Sequence, residues 1–515
     1  MMKRNIALVA LTLALASVLA PAHAEDIVPI VTLDQPVVAA GSNGTVHLLI
    51  RFVVPVRGDE DSASRPPVHL ALVMDRSGSM GDAGKMTYAK AAAKSLIGLL
   101  RPEDRLAVVD YDNVVTALWP SAPLVAPELA MRAIDSLEPR GATNLAAGLV
   151  AGLGEIHRDR QPGYNCRTIL LSDGLANTGE TRPAVIAAMA AHGRQQGIGV
   201  TTMGLGLDYN EDLMQGIAAA GGGRYYYVEN PAAMSRIFQE EMGKVLHQAT
   251  REFTLWFDHG PASAGITVYG YPTAAAAGRT TITMHDLYGG DAVSVLVGVQ
   301  LASPDLGAQE LGRIGVSYVD AADGRTRRSE HPVLVTGSAD AQLVAASVDV
   351  PTAVEARLIV ADDRHDRAVR TFEAGDKAGA VALLDTLREE ISAAETAYGD
   401  PKLTKKLEAL ALEQADMSRA EQEPAYRADY LKRSKEAFYG SRQGKRGKYL
   451  LVEGSAGLAV ENLQRVLADR GYYAGALDGS FDDEVRAAVA AYQAANGLTA
   501  DGLAGPATLR SLGLY

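Results

Sequence analysis

A single cysteine, Cys166, stands in 515 residues. No internal disulfide can form, so any oxidising compartment adds no crosslink to this fold. The thiol precedes an apolar run and reads as a small packing residue. Cationic side chains are also in the minority. Lys and Arg number 49 against 62 Asp and Glu, a net charge of -13, which removes electrostatic support for a nucleic-acid partner. Beyond the first 24 residues no segment is apolar enough to cross a bilayer. Proline and glycine are too dispersed for large-scale disorder. Catalytic patterns are missing as well. The histidines are scattered, with no His-Glu-x-x-His or paired metal spacing, and His157 and His192 fall in helical segments as surface or core residues. No Gly-x-Ser-x-Gly elbow occurs. The stretch ending in Gly84-Lys85 fails the phosphate-loop pattern, whose first glycine would fall at Ser79 and whose hydroxyl at Met86. Asp75 lacks the second aspartate, two residues on, that an aspartyl phosphatase needs; Ser77 stands there. With no nucleophile, base and oxyanion donors to assemble, the reading is of a protein that is not an enzyme.

What is present begins with a leader. Lys3 and Arg4 precede an apolar core at 6–19, and Ala22-His23-Ala24 has small residues at the cleavage spacing. Residues 1–24 therefore read as a secretory signal peptide, with Glu25 starting the mature chain. The length predicts three or four domains, and 47% hydrophobic with 22% charged residues suits a folded soluble protein.

The most informative stretch is Asp75-Arg76-Ser77-Gly78-Ser79, which follows the apolar run Val68 to Met74. That run predicts a strand buried on both faces, and a turn at its carboxyl end is where open α/β sheets bind ligands. One carboxylate and two hydroxyls suit a small hard cation, but Mg2+ wants six oxygens, so others must come from elsewhere. Gly141-Ala142-Thr143-Asn144 places a hydroxyl at the start of a helix, and Leu170-Leu171-Ser172-Asp173-Gly174 ends another apolar strand with a carboxylate. Taken singly, Ser77, Ser79 and Thr143 read equally well as turn and cap residues. In this order, Asp-x-Ser-x-Ser, Thr and Asp resemble the metal-ion-dependent adhesion site of the von Willebrand factor type A family, over residues 67–248. The resemblance implies direct ligation by Ser77, Ser79 and Thr143, with Asp75 and Asp173 acting largely through water. It implies Mg2+, with Mn2+ or Ca2+ as alternatives, and one coordination position open to an acidic side chain of a protein partner.

On either side of this segment the pattern changes to alternation. Phe253, Leu255 and Phe257 share one parity, and Val293, Val295, Val297 and Val299 share another, predicting a β-sandwich over 251–338. Two predicted strands in 25–66 have no partner of their own, so they are expected to complete that sandwich, with the metal-type domain inserted into it. This arrangement is similar to that of inter-alpha-trypsin inhibitor heavy chains and of bacterial proteins related to calcium-activated chloride channel regulators. Residues 351–440 read as a helical hairpin region, punctuated by Gly375, Gly399, Pro401 and Pro424. Within it, Asp362-Asp363-Arg364-His365-Asp366 reads as a solvated helix face. Residues 441–454 are a basic linker.

Residues 455–515 contain two similar halves: Leu463-Gln464 then Asp478-Gly479-Ser480-Phe481, and Tyr492-Gln493 then Asp501-Gly502-Leu503-Ala504-Gly505-Pro506. In each, Asp starts a tight turn and Gly takes positive φ. The segment resembles the three-helix peptidoglycan-binding domain of bacterial wall proteins, departing from it at Asp482, where a glycine is usual. The expected whole is a multidomain chain: a doubly wound, Rossmann-like α/β domain inserted in a β-sandwich, then a helical region and a wall-binding module. Its expected role is a secreted, periplasmic or wall-associated binding protein that joins peptidoglycan to a protein partner. The alternatives are an accessory or targeting subunit of a wall-processing enzyme, or a channel or transporter regulator.

Overall fold

The computed structural model describes residues 27–54, 65–206, 209–228, 234–442, 451, 458–512 and 514. The expected signal peptide and most of the expected linker at 441–454 lie outside these residues. The chain enters through three strands, β1 (Ile30–Leu33), β2 (Val37–Ala39) and β3 (Thr45–Val53). It then leaves them for an α/β domain. That domain runs β4 (Val68–Asp75), α1 (Lys85–Ile97), β5 (Arg105–Tyr111), β6 (Val115–Pro123), α2 (Pro127–Asp135) and α3 (Leu145–Arg158). It continues β7 (Asn165–Ser172), α4 (Pro183–Gln195), β8 (Ile198–Leu205), α5 (Glu211–Ala220), β9 (Gly222–Val228) and α6 (Met234–Leu246).

The sheet order is β6-β5-β4-β7-β8-β9, parallel throughout except for the edge strand β6. Every residue of β4 is buried, because helices cover both faces. Leu70, Leu72 and Met74 join Ala89 and Leu96 of α1 and Phe238 of α6. Ala71 and Val73 join Leu149 of α3 and Ile217 of α5 on the other side. Gly152 allows α3 to lie close: a Cβ there would meet Val73 Cγ2 at 2.3 Å. Strand order reverses at β4, which opens a crevice at its carboxyl end.

After α6 come β10 (Thr250–His259), β11 (Ser263–Tyr269), β12 (Thr273–Ala276), β13 (Arg279–Thr283), β14 (Ala292–Leu301), β15 (Gly307–Asp320) and β16 (Thr326–Ser338). They form two sheets, β1-β3-β14-β11 and β12-β13-β10-β15-β16-β2. β3 pairs with β14 from Thr45 opposite Gln300 to Val53 opposite Ala292. The strands before the α/β domain thus complete the sandwich after it, as the lone strands require. Val46, Leu48, Ile50 and Phe52 fill its core with Phe253, Leu255 and Phe257.

The α/β domain sits on the sandwich through buried charge. Arg224 of β9 donates twice to Asp291, at 2.9 Å each, and Lys244 of α6 reaches the same carboxylate at 2.9 Å. Arg167 of β7 donates to Tyr288 Oη at 2.6 Å. His285 is buried beside them, and that burial, with the positive charge of Arg224, depresses its pKa to about 4.

The helical region holds a short α7 (Ala341–Ala346) and four long helices: α8 (Val350–Glu373), α9 (Lys377–Tyr398), α10 (Pro401–Gln422) and α11 (Pro424–Arg442). It is therefore larger than one hairpin. Asp349, Asp376 and Asp400 cap three of the helix starts. Ala356, Ile359 and Val360 of α8 pack on Leu49 and Leu296, the outer side of the first sandwich sheet. The charged run in α8 is not a solvated face. Asp362 pairs with Lys406 at 2.8 Å, Arg364 with Glu390, and His365 with Glu413 at 3.1 Å on neighbouring helices; Asp363 accepts from Gly270 N at 3.2 Å and Asp366 pairs with Arg370 of its own helix at 2.7 Å, so the members do not converge.

The last segment has α12 (Leu458–Asp469), α13 (Asp483–Ala495) and α14 (Pro506–Leu512). Its repeat has one physical cause. Buried Gln464 accepts from Gly479 N at 2.8 Å and donates to Asp478 at 2.9 Å; buried Gln493 accepts from Gly502 N at 2.9 Å and donates to Asp501 at 3.0 Å. Each glutamine pins one Asp-Gly turn. Asp482 caps α13 through Val485 N at 2.9 Å, which accounts for an aspartate where glycine is usual. Lys405 of α10 pairs with Asp501 at 2.9 Å and ties this segment to the helical region. Among the described residues no helix is long and apolar enough to cross a membrane.

Candidate metal centre

Three loops meet at the carboxyl ends of β4 and β7. The first leaves β4 and turns through Gly78–Gly84 into α1. The second, residues 140–144, opens α3; the third follows β7. Backbone contacts tie them to one another and to the turn after β5: Gly78 N to Gly141 O at 3.1 Å, Asn177 N to Thr143 O at 3.2 Å, and Asn144 N to Asp112 O at 3.0 Å. Thr143 N donates in return to Asn177 Oδ1 at 2.8 Å. Such ties fix loop positions without using the side chains expected at the site.

Those side chains are brought together. Ser79 Oγ donates to Asp173 Oδ1 at 2.7 Å. Ser77 Oγ lies 3.1 Å from Ser79 Oγ and 3.4 Å from the same carboxylate oxygen. Thr143 faces them across Gly174, where a Cβ would stand 3.4 Å from Thr143 Oγ1 and 3.6 Å from Ser79 Oγ. Both hydroxyls thus border the same backbone position. Asp75 takes a supporting position. Its carboxylate accepts from Ser77 N and from Ser172 Oγ, each at 2.8 Å, and burial pushes its pKa up to about 6.

This donor set is three hydroxyls and one carboxylate oxygen, with a second carboxylate behind. It is all-oxygen and only partly anionic, which fits Mg2+ or Ca2+ better than a soft metal. Two members escaped sequence reasoning. Ser172 was visible in the Ser-Asp-Gly strand end, but only the fold turns it toward Asp75. Lys85 was read only as part of a failed phosphate loop. Its Nζ donates to Asp173 Oδ2 at 2.7 Å, with the side chain almost wholly buried. The neighbouring Arg76 does not serve the site; it pairs with Asp110 at 2.6 Å and lies 3.3 Å from Asp112.

One other acid cluster could be mistaken for a cation site. Glu211 and Asp212 of α5 approach Glu373 of α8. Lys435 of α11 already sits among them, at 3.2, 2.9 and 2.7 Å from Glu211, Asp212 and Glu373. Lys432 and Arg370 add further pairs, to Glu211 and Asp212. The cluster is a joint between the helical region and the α/β domain.

Comparison with known proteins follows these divisions. Residues 69–240 match the von Willebrand factor type A domain, and residues 456–512 match a putative peptidoglycan binding domain. The chain is similar to the uncharacterized protein sll0103 of Synechocystis sp., with 26% identity over 65% of this chain and 81% of that one. It is similar to the uncharacterized protein YfbK of Escherichia coli, with 29% identity over 40% of this chain and 36% of that one. Inter-alpha-trypsin inhibitor heavy chain H2 of Mesocricetus auratus is 23% identical over 44% of this chain, which spans only 24% of that protein's length. Two solved structures share the fold. A von Willebrand factor type A protein from Catenulispora acidiphila superposes with a TM-score of 0.57 at 19% identity, over 75% of this chain and 90% of that one. The ArnB paralog VWA2 from Sulfolobus acidocaldarius superposes with a TM-score of 0.52 at 16% identity, over 81% of this chain and all of that one. The chain thus carries an α/β domain that matches the von Willebrand factor type A domain, set into a β-sandwich, and, at its other end, a segment matching a putative peptidoglycan binding domain.

Proposed function

We propose that this chain is a non-catalytic envelope protein, exported by its leader, that holds the cell wall with one end and a protein partner with the other. The observation that carries the reading is the convergence of Ser77, Ser79 and Asp173 on one point, with Thr143 facing it across Gly174. Ser77, Ser79 and Thr143 would hold a divalent ion, Mg2+ first and Mn2+ or Ca2+ as alternatives, with Asp75 and Asp173 orienting hydroxyls and water. Bound there, the ion would supply an electrophilic position for an Asp or Glu of the partner. Few anionic groups of this chain would touch it, so a partner's carboxylate would still be attracted. Residues 455–515 would bind peptidoglycan, placing the protein in the periplasm or against the wall.

Two measurements test this. Calorimetric titration with MgCl2 or MnCl2 should give one site in the wild type and none in Asp173→Ala; equal binding by both would move the site elsewhere. Crosslinked capture from envelope extract should then yield a partner in magnesium that is lost both in EDTA and with Asp75→Ala. For the other end, the protein should sediment with purified peptidoglycan and fail to do so without residues 455–515. Sedimentation that survives the deletion would assign wall binding to another region.

A further inference from the structure

Lys85 stands where a helix disfavours it. It is the first residue of α1, and the amino end of a helix repels positive charge. It is also buried, which penalises an ammonium ion unless it is paired. Its compensation is Asp173 Oδ2, at 2.7 Å. Gly206, just after β8, packs beside it: a Cβ there would stand in ordinary contact, 3.5 Å from Lys85 Cε and 3.7 Å from Nζ. Asp173 is shared, since its other oxygen accepts from Ser79 at 2.7 Å. One carboxylate therefore faces both the built-in cation and the cluster of hydroxyls.

We propose that Lys85 is a counter-cation of the adhesion-type site, which neutralises Asp173 and opposes the approach of a divalent ion. The inference rests on the metal reading above and adds its regulation. Two carboxylates, Asp75 and Asp173, without a cation would bind a metal tightly and would repel each other in its absence. Lys85 removes one unit of that negative charge. The fold then does not depend on the ion, and the ion is held loosely enough to keep its affinity for a carboxylate from outside.

The test is titration of the full chain with MgCl2 and MnCl2, by calorimetry and by melting temperature against EDTA. Lys85→Met should melt below the wild type in EDTA yet bind either ion about tenfold tighter or more, with a larger metal-dependent rise in Tm. Lys85→Gln, which keeps a polar end, should shift the same way, and serves if the methionine variant fails to fold. Lys85→Arg, which keeps the charge, should stay near the wild type. Damage to a merely structural residue would weaken metal binding, so the sign of the change is decisive. Wild-type binding with unchanged or weaker binding in the neutral variants overturns the role of Lys85 alone. No binding by the wild type or by any variant overturns the metal reading and this inference with it.

Discussion

Both ends of the inserted α/β domain bury carboxylates, and they differ in what answers them. At the sandwich end, Asp291 meets Arg224 and Lys244, and Asp286 has Arg194 at 3.8 Å. At the loop end, among the described residues, Lys85 pairs with Asp173 and no basic side chain is paired with Asp75; their other partners are hydroxyls and a backbone N–H. A saturated cluster is a joint. A cluster short of cations and rich in hydroxyls can accept one. The acid group at Glu211, Asp212 and Glu373 falls on the joint side of this division, because Lys435, Lys432 and Arg370 occupy it.

The largest expected effect breaks the joint. Arg224→Met leaves Asp291 with Lys244 as its one remaining cation and should destabilise the protein by about 3 kcal/mol or more, read from urea or thermal unfolding, while leaving magnesium affinity unchanged. A change in magnesium affinity would mean the two ends are not independent.

Acid should act at the same end. His285 is held neutral, by burial first and by Arg224 second, with a folded pKa of about 4 against 6.5 unfolded. The unfolded chain therefore takes up the proton first. This contribution to stability is complete above the unfolded value and is lost as pH falls toward the folded one. The loss is about 3 kcal/mol between about pH 7 and about pH 4. His285→Gln should flatten that part of the profile of unfolding midpoint against pH; an unaltered slope would assign it to other groups.

Next comes the helical joint. Lys435→Met should cost about 2 kcal/mol in unfolding experiments and create no response to magnesium, because Lys432 and Arg370 still answer Glu211 and Asp212. A magnesium-dependent rise in Tm would show that acid excess alone suffices for a site. The smallest effect is expected from Lys405→Ala, at about 1 kcal/mol or less. It should appear as faster proteolytic release of the C-terminal segment rather than as lower overall stability.

Much of this was legible in the chain. The buried strand β4 and its loop were plain, because an apolar run ending in Asp-x-Ser-x-Ser needs no distant information. The sandwich could be inferred because Phe253 to Phe257 and Val293 to Val299 keep strict parity, and because strands without partners must find some. Lys85 was hidden because its meaning depends on Asp173, 88 positions away. Arg167 and Arg224 were hidden for a related reason. Within strands they resemble exposed positions, and only the docked sandwich turns them into buried ones. Asp362 to Asp366 misled because a charged helical run looks solvated until helices arrive from both sides.

The insertion of the α/β domain has a mechanical consequence. The chain passes from β3 to β4 and from α6 into β10, and the first residues of β4 and the last turns of α6 lie at the end that meets the sandwich. A tether pulling on the far loops would thus load both connections in parallel, along the direction of the strands. Tension would be carried as shear across the ladders of β4 and its neighbours, the geometry in which many backbone bonds must yield together. Under the proposed function, a chain strung between a wall and a partner would gain most from that arrangement when the two are drawn apart.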